Sequence, residues 1–141
     1  MRKSNYEMAR ALIELRPYRQ NNRRVVVAKS DKELLEVPGY DWPAIEGKKL
    51  RAVGYLFGNP IVAVMPYGVV CMTHAGYNTL TTRNTLTEIV REMGMKYWFG
   101  TMIGTLYCND IPISSMATMF FSSNEKKLLC IYDSGKFTEG M

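Results

Sequence analysis

The stretch from Gly68 to Gly94, GVVCMTHAGYNTLTTRNTLTEIVREMG, constrains the fold more than any other part of the chain. Val69 to Thr73 has the β-branched, apolar character of a short strand, and His74 to Thr82 makes a polar corner. Beyond it the spacing predicts a helix from Arg83 to Met93. Leu86, Ile89, Val90 and Met93 fall at i, i+3, i+4 and i+7, which draws one apolar stripe along a helix. Thr82 suits the first cap, and Thr85 with Glu88 has capping-box spacing, so either can mark the start. Gly94 supplies the left-handed stop. A helix with one apolar face needs a layer to lie on, and the rest of the chain reads as strands and turns.

A second helix is expected near residues 4–16. Ser4 and Glu7 match a capping box, and Met8, Leu12 and Leu15, widened by Ile13, form its stripe before Pro17 ends it. Tyr18 to Asn22 reads as a polar loop and Arg24 to Lys29 as a strand. Ser30 and Glu33 suggest a further helical turn over residues 31–36, broken at Pro38-Gly39. Trp42 reads as a lid over the core edge. Arg51 to Phe57, Pro60 to Met65 and Val69 to Thr73 form an antiparallel meander, turning at Gly58-Asn59 and at Pro66-Tyr67-Gly68. Ile61 to Met65 is apolar on both faces and so is a strand covered on both sides. Further strands are expected at 96–99, 101–108, 112–121 and 127–132, followed by a tail over 133–141. The class is α+β with a mainly antiparallel sheet, in one domain made of a basic arm (1–24), a core (25–132) and the tail.

The net charge is +5, and it is concentrated. Residues 1–24 hold Arg2, Lys3, Arg10, Arg16, Arg19, Arg23 and Arg24 against Glu7 and Glu14, while the remainder has as many acids as bases. A clustered excess steers polyanions or acidic proteins. It makes Arg16, Arg19, Arg23 and Arg24 the candidate contacts for an anionic partner, although the same residues also suit a solvated helix face. Three widely spaced cysteines argue against a disulfide framework and for a reducing cytoplasm. No apolar run reaches the about 18 residues of a membrane span, and no secretory leader follows Arg2 and Lys3.

Chemistry has little to stand on. His74 is the single histidine, which removes two-histidine mechanisms, and no Cys or His spacing suits zinc. Cys71 and His74, three apart in a strand, point to opposite faces. Glu88 and Glu92 read as facing water. No catalytic set, metal site or cofactor is expected. The remaining candidate is the corner itself, where Tyr77, Thr81, Thr82 and Arg83 surround free amides at a helix start and offer a place for a phosphate or carboxylate. Tyr77 is placed to stack on a base. Threonines ahead of a helix are also caps in their own right.

This corner resembles that of a loose group of small, mostly uncharacterised tailed-bacteriophage proteins. They carry a Tyr-x-x-Asn-x-Pro-Ile-Ala hairpin and then a Tyr-Ser-x-Thr-Thr turn into a short helix. The matching pieces are Gly58-Asn59-Pro60-Ile61-Val62-Ala63 and Tyr77 to Arg83, within roughly residues 53–93. Asn78-Thr79 stands where the group has Ser-x, with one residue more before Thr81-Thr82. The histidine often found after the threonines is Asn84 or Thr85 here. The resemblance implies phage origin and work in host takeover or anti-defence. The expectation is a cytoplasmic accessory protein that binds a nucleotide signal, nucleic acid or an acidic host protein. Met116, Thr118 and Phe120 share one strand face and Ala117, Met119 and Phe121 the other, and two apolar faces ask for two covers. A homo-oligomer supplies the second. A virion structural or assembly role, and a small enzyme acting on a nucleotide through Tyr77 and Glu88, are the alternatives.

Overall fold

The computed structural model describes residues 3–139; Arg2 and the last two residues of the expected tail lie outside them. Helix α1 (Lys3–Glu14) leads into β1 (Tyr18–Gln20), β2 (Arg23–Val27), β3 (Ala52–Leu56), β4 (Asn59–Val64) and β5 (Val69–Thr73). Helix α2 (Leu80–Glu92) follows, then β6 (Phe99–Met102), β7 (Thr105–Cys108), β8 (Ile111–Ile113), β9 (Thr118–Ser122), β10 (Lys127–Asp133) and β11 (Lys136–Glu139). Eight strands form one sheet in the order β1-β2-β3-β4-β5-β9-β10-β11, and β6-β7-β8 form a small second sheet. Neighbouring strands pair antiparallel throughout both sheets. The fold is α+β and mostly β.

Strand alternation sends successive side chains to opposite sides of the large sheet. One row across it, Gly54, Val62, Met72 and Met119, faces the two helices. A Cβ at Gly54 would stand 2.8 Å from the Met8 Cε of α1, so a side chain there would have to displace the flexible end of Met8. Met8 and Leu12 of α1, and Leu86, Ile89 and Val90 of α2, are buried in the same cluster. Each such side chain contributes about 1.5–3 kcal/mol on leaving water, which seats both helices. The neighbouring row, Val53, Ala63, Cys71 and Phe120, faces the other way. Residues from the long connection before β3, among them Val37, Trp42, Ile45 and Leu50, cover this second face. The covering of both faces that the apolar 61–65 run implies is therefore present. So is the double cover expected for 117–121, and it comes from within the chain. Met116 is exposed and takes no part.

Several local expectations are corrected. Ser4 lies inside α1 and does not cap it. Leu15 adopts a left-handed φ of 53°, which stops the helix short of residue 16 and leaves Leu15 and Ile13 exposed, off the stripe. The loop at 18–22 is a strand and a tight turn. Residues 31–36 form no helix; Leu35 instead pairs its backbone with Leu50. Trp42 is a core residue, with its Nε1–H donating to Thr118 Oγ1 at 2.8 Å. The β3–β4 turn is Phe57-Gly58, one residue ahead of Gly58-Asn59, with both φ values positive (51° and 80°). That geometry matches the twist of the flanking strands. A second such turn, Ile103-Gly104, divides the expected 101–108 strand, and Lys96 to Trp98 stay outside β6. The 112–121 run is likewise split, into β8 and β9. The expected tail becomes β11, hairpinned on β10 through Ser134-Gly135.

Candidate functional site

One end of the large sheet gathers the β1–β2 turn, the β3–β4 turn and the corner after β5. The first two are tied by the Phe57 N–H, which donates to Asn22 O at 2.8 Å. Two clefts open here and share Phe57 as a wall.

The first cleft, of about 390 Å³, is lined by Arg19, Asn21, Asn22, Arg23, Arg24, Tyr55, Phe57 and Gly58. Arg19 and Arg24 lie directly opposite each other in the β1–β2 ladder. Like charges in that register repel by a few tenths of a kcal/mol to about 1 kcal/mol. Among the described residues neither has an acidic partner within ion-pair distance. The Arg24 guanidinium instead lies 4.5 Å over the Tyr55 ring.

Two other arginines of the basic segment already have acidic partners. Arg16 pairs with Glu14 at 2.9 Å, and Arg10 reaches Glu14 at 2.8 Å and Glu92 at 3.6 Å. Arg23 corrects the sequence reading. It is buried between the helices and the sheet, donating to Asn5 Oδ1 at 2.6 Å and toward Thr85 Oγ1 at 3.5 Å. Glu88 also leaves its expected place in solvent, since it accepts a hydrogen bond from Asn5 of α1. Glu88 is not among the residues that line the cleft faced by Tyr77.

The second cleft, of about 230 Å³, is lined by Leu56, Phe57, Asn59, Ile61, His74, Tyr77, Thr79 and Thr82. The corner that shapes it is held by backbone bonds. Thr73 Oγ1 accepts from the Ala75 N–H at 3.1 Å, Ser115 O from Gly76 at 2.9 Å, and His74 O from Tyr77 at 2.8 Å. Helix α2 starts earlier than the stripe suggested. Its cap is Thr79, whose Oγ1 accepts from the Thr82 N–H at 3.2 Å. Thr82 and Thr85 are helical residues, and the Thr85 hydroxyl donates back to Thr81 O at 2.8 Å. The stripe marks only where the helix begins to touch the core, whereas the cap sits on its first, still solvated turn.

Of the four corner residues singled out in the sequence, Tyr77 and Thr82 face this cleft, while Thr81 and Arg83 do not. The Arg83 side chain folds back to donate to Asn78 O and Oδ1 at 3.1 and 2.9 Å.

His74 is what the sequence reading missed. It is fully buried, and neither ring nitrogen has a hydrogen-bond partner among the described residues. Its one specific contact is an edge-to-face packing on Phe99 at 5.3 Å. Burial, helped by the Arg83 charge, pulls its pKa down to about 4. At neutral pH it therefore presents one N–H donor and one bare nitrogen acceptor. A lone histidine after an apolar strand gives no sequence signal of this.

Elsewhere, Cys71 and Cys108 are buried thiols whose pKa values are raised by desolvation. No group of three His, Cys, Asp or Glu side chains among the described residues is placed to hold a metal. No helix is long and apolar enough to cross a membrane. Comparison with protein-family models, with curated proteins and with solved structures found no match for this chain.

Proposed function

We propose that this protein is a binding module for a phosphorylated ligand of the nucleotide class, without catalysis, and that the ligand lies across the two clefts that meet at Phe57. The division of labour follows from the chemistry of each cleft. Arg19 and Arg24, opposed and lacking carboxylate partners, suit a phosphate that relieves their repulsion. Neutral His74 is a poor match for an anion but a good one for a base edge that carries both a donor and an acceptor. Exposed Phe57 and Tyr77 offer ring faces for stacking. The observation that carries this reading is the pair of unmet His74 nitrogens, buried at the cleft that Tyr77, Thr79 and Thr82 also line. Leaving a buried polar group unpaired costs about 1–3 kcal/mol, and a ligand that fills the cavity recovers it. Sequestering a host nucleotide in a phage accessory role is the biological setting we infer from the resemblance of the corner.

Calorimetric titration with the four ribonucleoside monophosphates and with inorganic phosphate, at low and moderate salt, tests the proposal. At least one nucleotide should bind more tightly than phosphate and should weaken with salt. Arg24→Ala should remove most of that salt dependence, and His74→Phe should weaken the nucleotide while leaving phosphate unchanged. The reading fails if no nucleotide binds, or if both variants bind like the parent.

A second reading, assembly through self-association, has one feature in its favour. The β6–β7 tip exposes Met102 and almost the whole of Ile103, a β-branched residue held at a left-handed φ of 51°. An oligomer held there should dissociate on Ile103→Lys. Elution of the parent as a monomer at high concentration excludes it.

A further inference from the structure

The opposite end of the sheet holds a third and larger cavity, of about 430 Å³, between the C-terminal halves of α1 and α2 and the β9–β10 turn. Its floor is apolar, with Leu12, Val70 and Met93 among the lining side chains. Its rim is cationic, with Arg10, Arg51 and Lys126 set against the one acid Glu92.

The three cations differ in what already holds them. Arg10 is shared between Glu14 and Glu92. Lys126 donates to Met93 O at 2.9 Å, the carbonyl at the end of α2, and has no carboxylate partner among the described residues. Arg51 makes a loose contact to Asp31 at 3.5 Å through one terminal nitrogen, and that aspartate is largely solvated. Its Nε–H is buried and has no hydrogen-bond partner among the described residues. A guanidinium is built to grip a carboxylate through Nε and a terminal nitrogen together. Arg51 lines the cavity together with the apolar Leu12, Val70 and Met93.

We propose that this cavity is a binding site for a single-chain amphipathic carboxylate, with the headgroup on Arg51 and Lys126 and the acyl chain along the apolar floor between the helices. The charge of the rim selects the headgroup, and the floor requires a tail. A free phosphate or acetate uses only the rim, and an uncharged alcohol only the floor. The site is separate from the nucleotide clefts, and its residues are not among theirs.

The test is titration of the full chain with decanoate, decanol and acetate. Methyl NMR shifts map the response, and calorimetry measures affinity. Decanoate should bind one per chain and shift Leu12, Val70 and Met93. Decanol and acetate should each bind about tenfold more weakly or less. Arg51→Met and Lys126→Met keep their aliphatic stems, and each should weaken decanoate by about tenfold while leaving decanol unchanged. His74→Phe should leave decanoate binding intact, which separates this site from the first. Decanol binding as tightly as decanoate, unchanged affinity in both variants, shifts confined to Leu56 and Ile61 of the second cleft, or no decanoate binding at all would each overturn the proposal.

Discussion

Replacing His74 by Phe gives the sharpest test of how the corner is built. In the folded protein the imidazole is held neutral, with its pKa lowered from 6.5 to about 4. The unfolded chain takes up a proton on this side chain near 6.5, and the folded chain does so only near 4. The sign follows directly. The neutral ring's contribution to stability is fully present above pH 6.5, declines as the pH falls through the window between 6.5 and 4, and is gone below it. Such a displacement for a fully buried group corresponds to about 3 kcal/mol.

Phe cannot titrate, keeps the edge-to-face partner Phe99, and can expand toward the adjoining 230 Å³ cavity. It also removes two unpaired polar atoms, worth about 1–3 kcal/mol before packing strain is subtracted. The variant should be at least as stable as the parent at pH 7. At pH 4.5 it should be more stable by about 2 kcal/mol or more. Urea unfolding at pH 7, 5.5 and 4.5 measures this, and surface carboxylates common to both proteins cancel in the difference. Parallel stability profiles for the two proteins, or an NMR titration placing His74 above pH 6, would refute the argument.

Three further outcomes follow from named contacts. Thr79→Ala should lower stability by about 1 kcal/mol through loss of the α2 cap, whereas Asn84→Ala, exposed on the same helix, should change it little; denaturant midpoints decide. Arg23→Met should cost about 2–3 kcal/mol by removing the guanidinium donors to Asn5 and Thr85 from a buried hydrogen-bond network, while Arg24→Ala should stay within about 0.5 kcal/mol. Equal effects would place Arg23 at the surface. Trp42→Phe leaves the buried Thr118 hydroxyl without its donor and should lower the thermal midpoint by about 3–6 °C. An unchanged midpoint would show that this bond contributes nothing.

Much of the fold was legible where one local pattern dominated. The 86–93 stripe, the meander from Arg51 to Thr73 and the doubly apolar 61–65 run each carry a periodicity that burial then enforces. Turns were less legible. Phe57-Gly58 and Ile103-Gly104 place a bulky residue at positive φ, against its own preference, because the antiparallel pairing on either side over-determines the turn. The helix at 31–36 failed because its capping pattern lacks an apolar stripe, and Leu35 is worth more paired to Leu50 beneath Trp42.

Sequence alone settled the class, because alternation and the 3.6-residue stripe are local quantities that each segment carries by itself. It also located the net charge. Tertiary structure decided which charges remain available, since ion pairing and burial depend on partners far along the chain. Among the described arginines of the basic segment, Arg23 is bonded to Asn5 and Thr85 and Arg16 to Glu14, while the opposed Arg19 and Arg24 have no acidic partner. It also decided that the His74 ring nitrogens have no hydrogen-bond partner among the described residues. That is a property of the space around the ring, which closes only when β5, α2 and the β3–β4 turn meet.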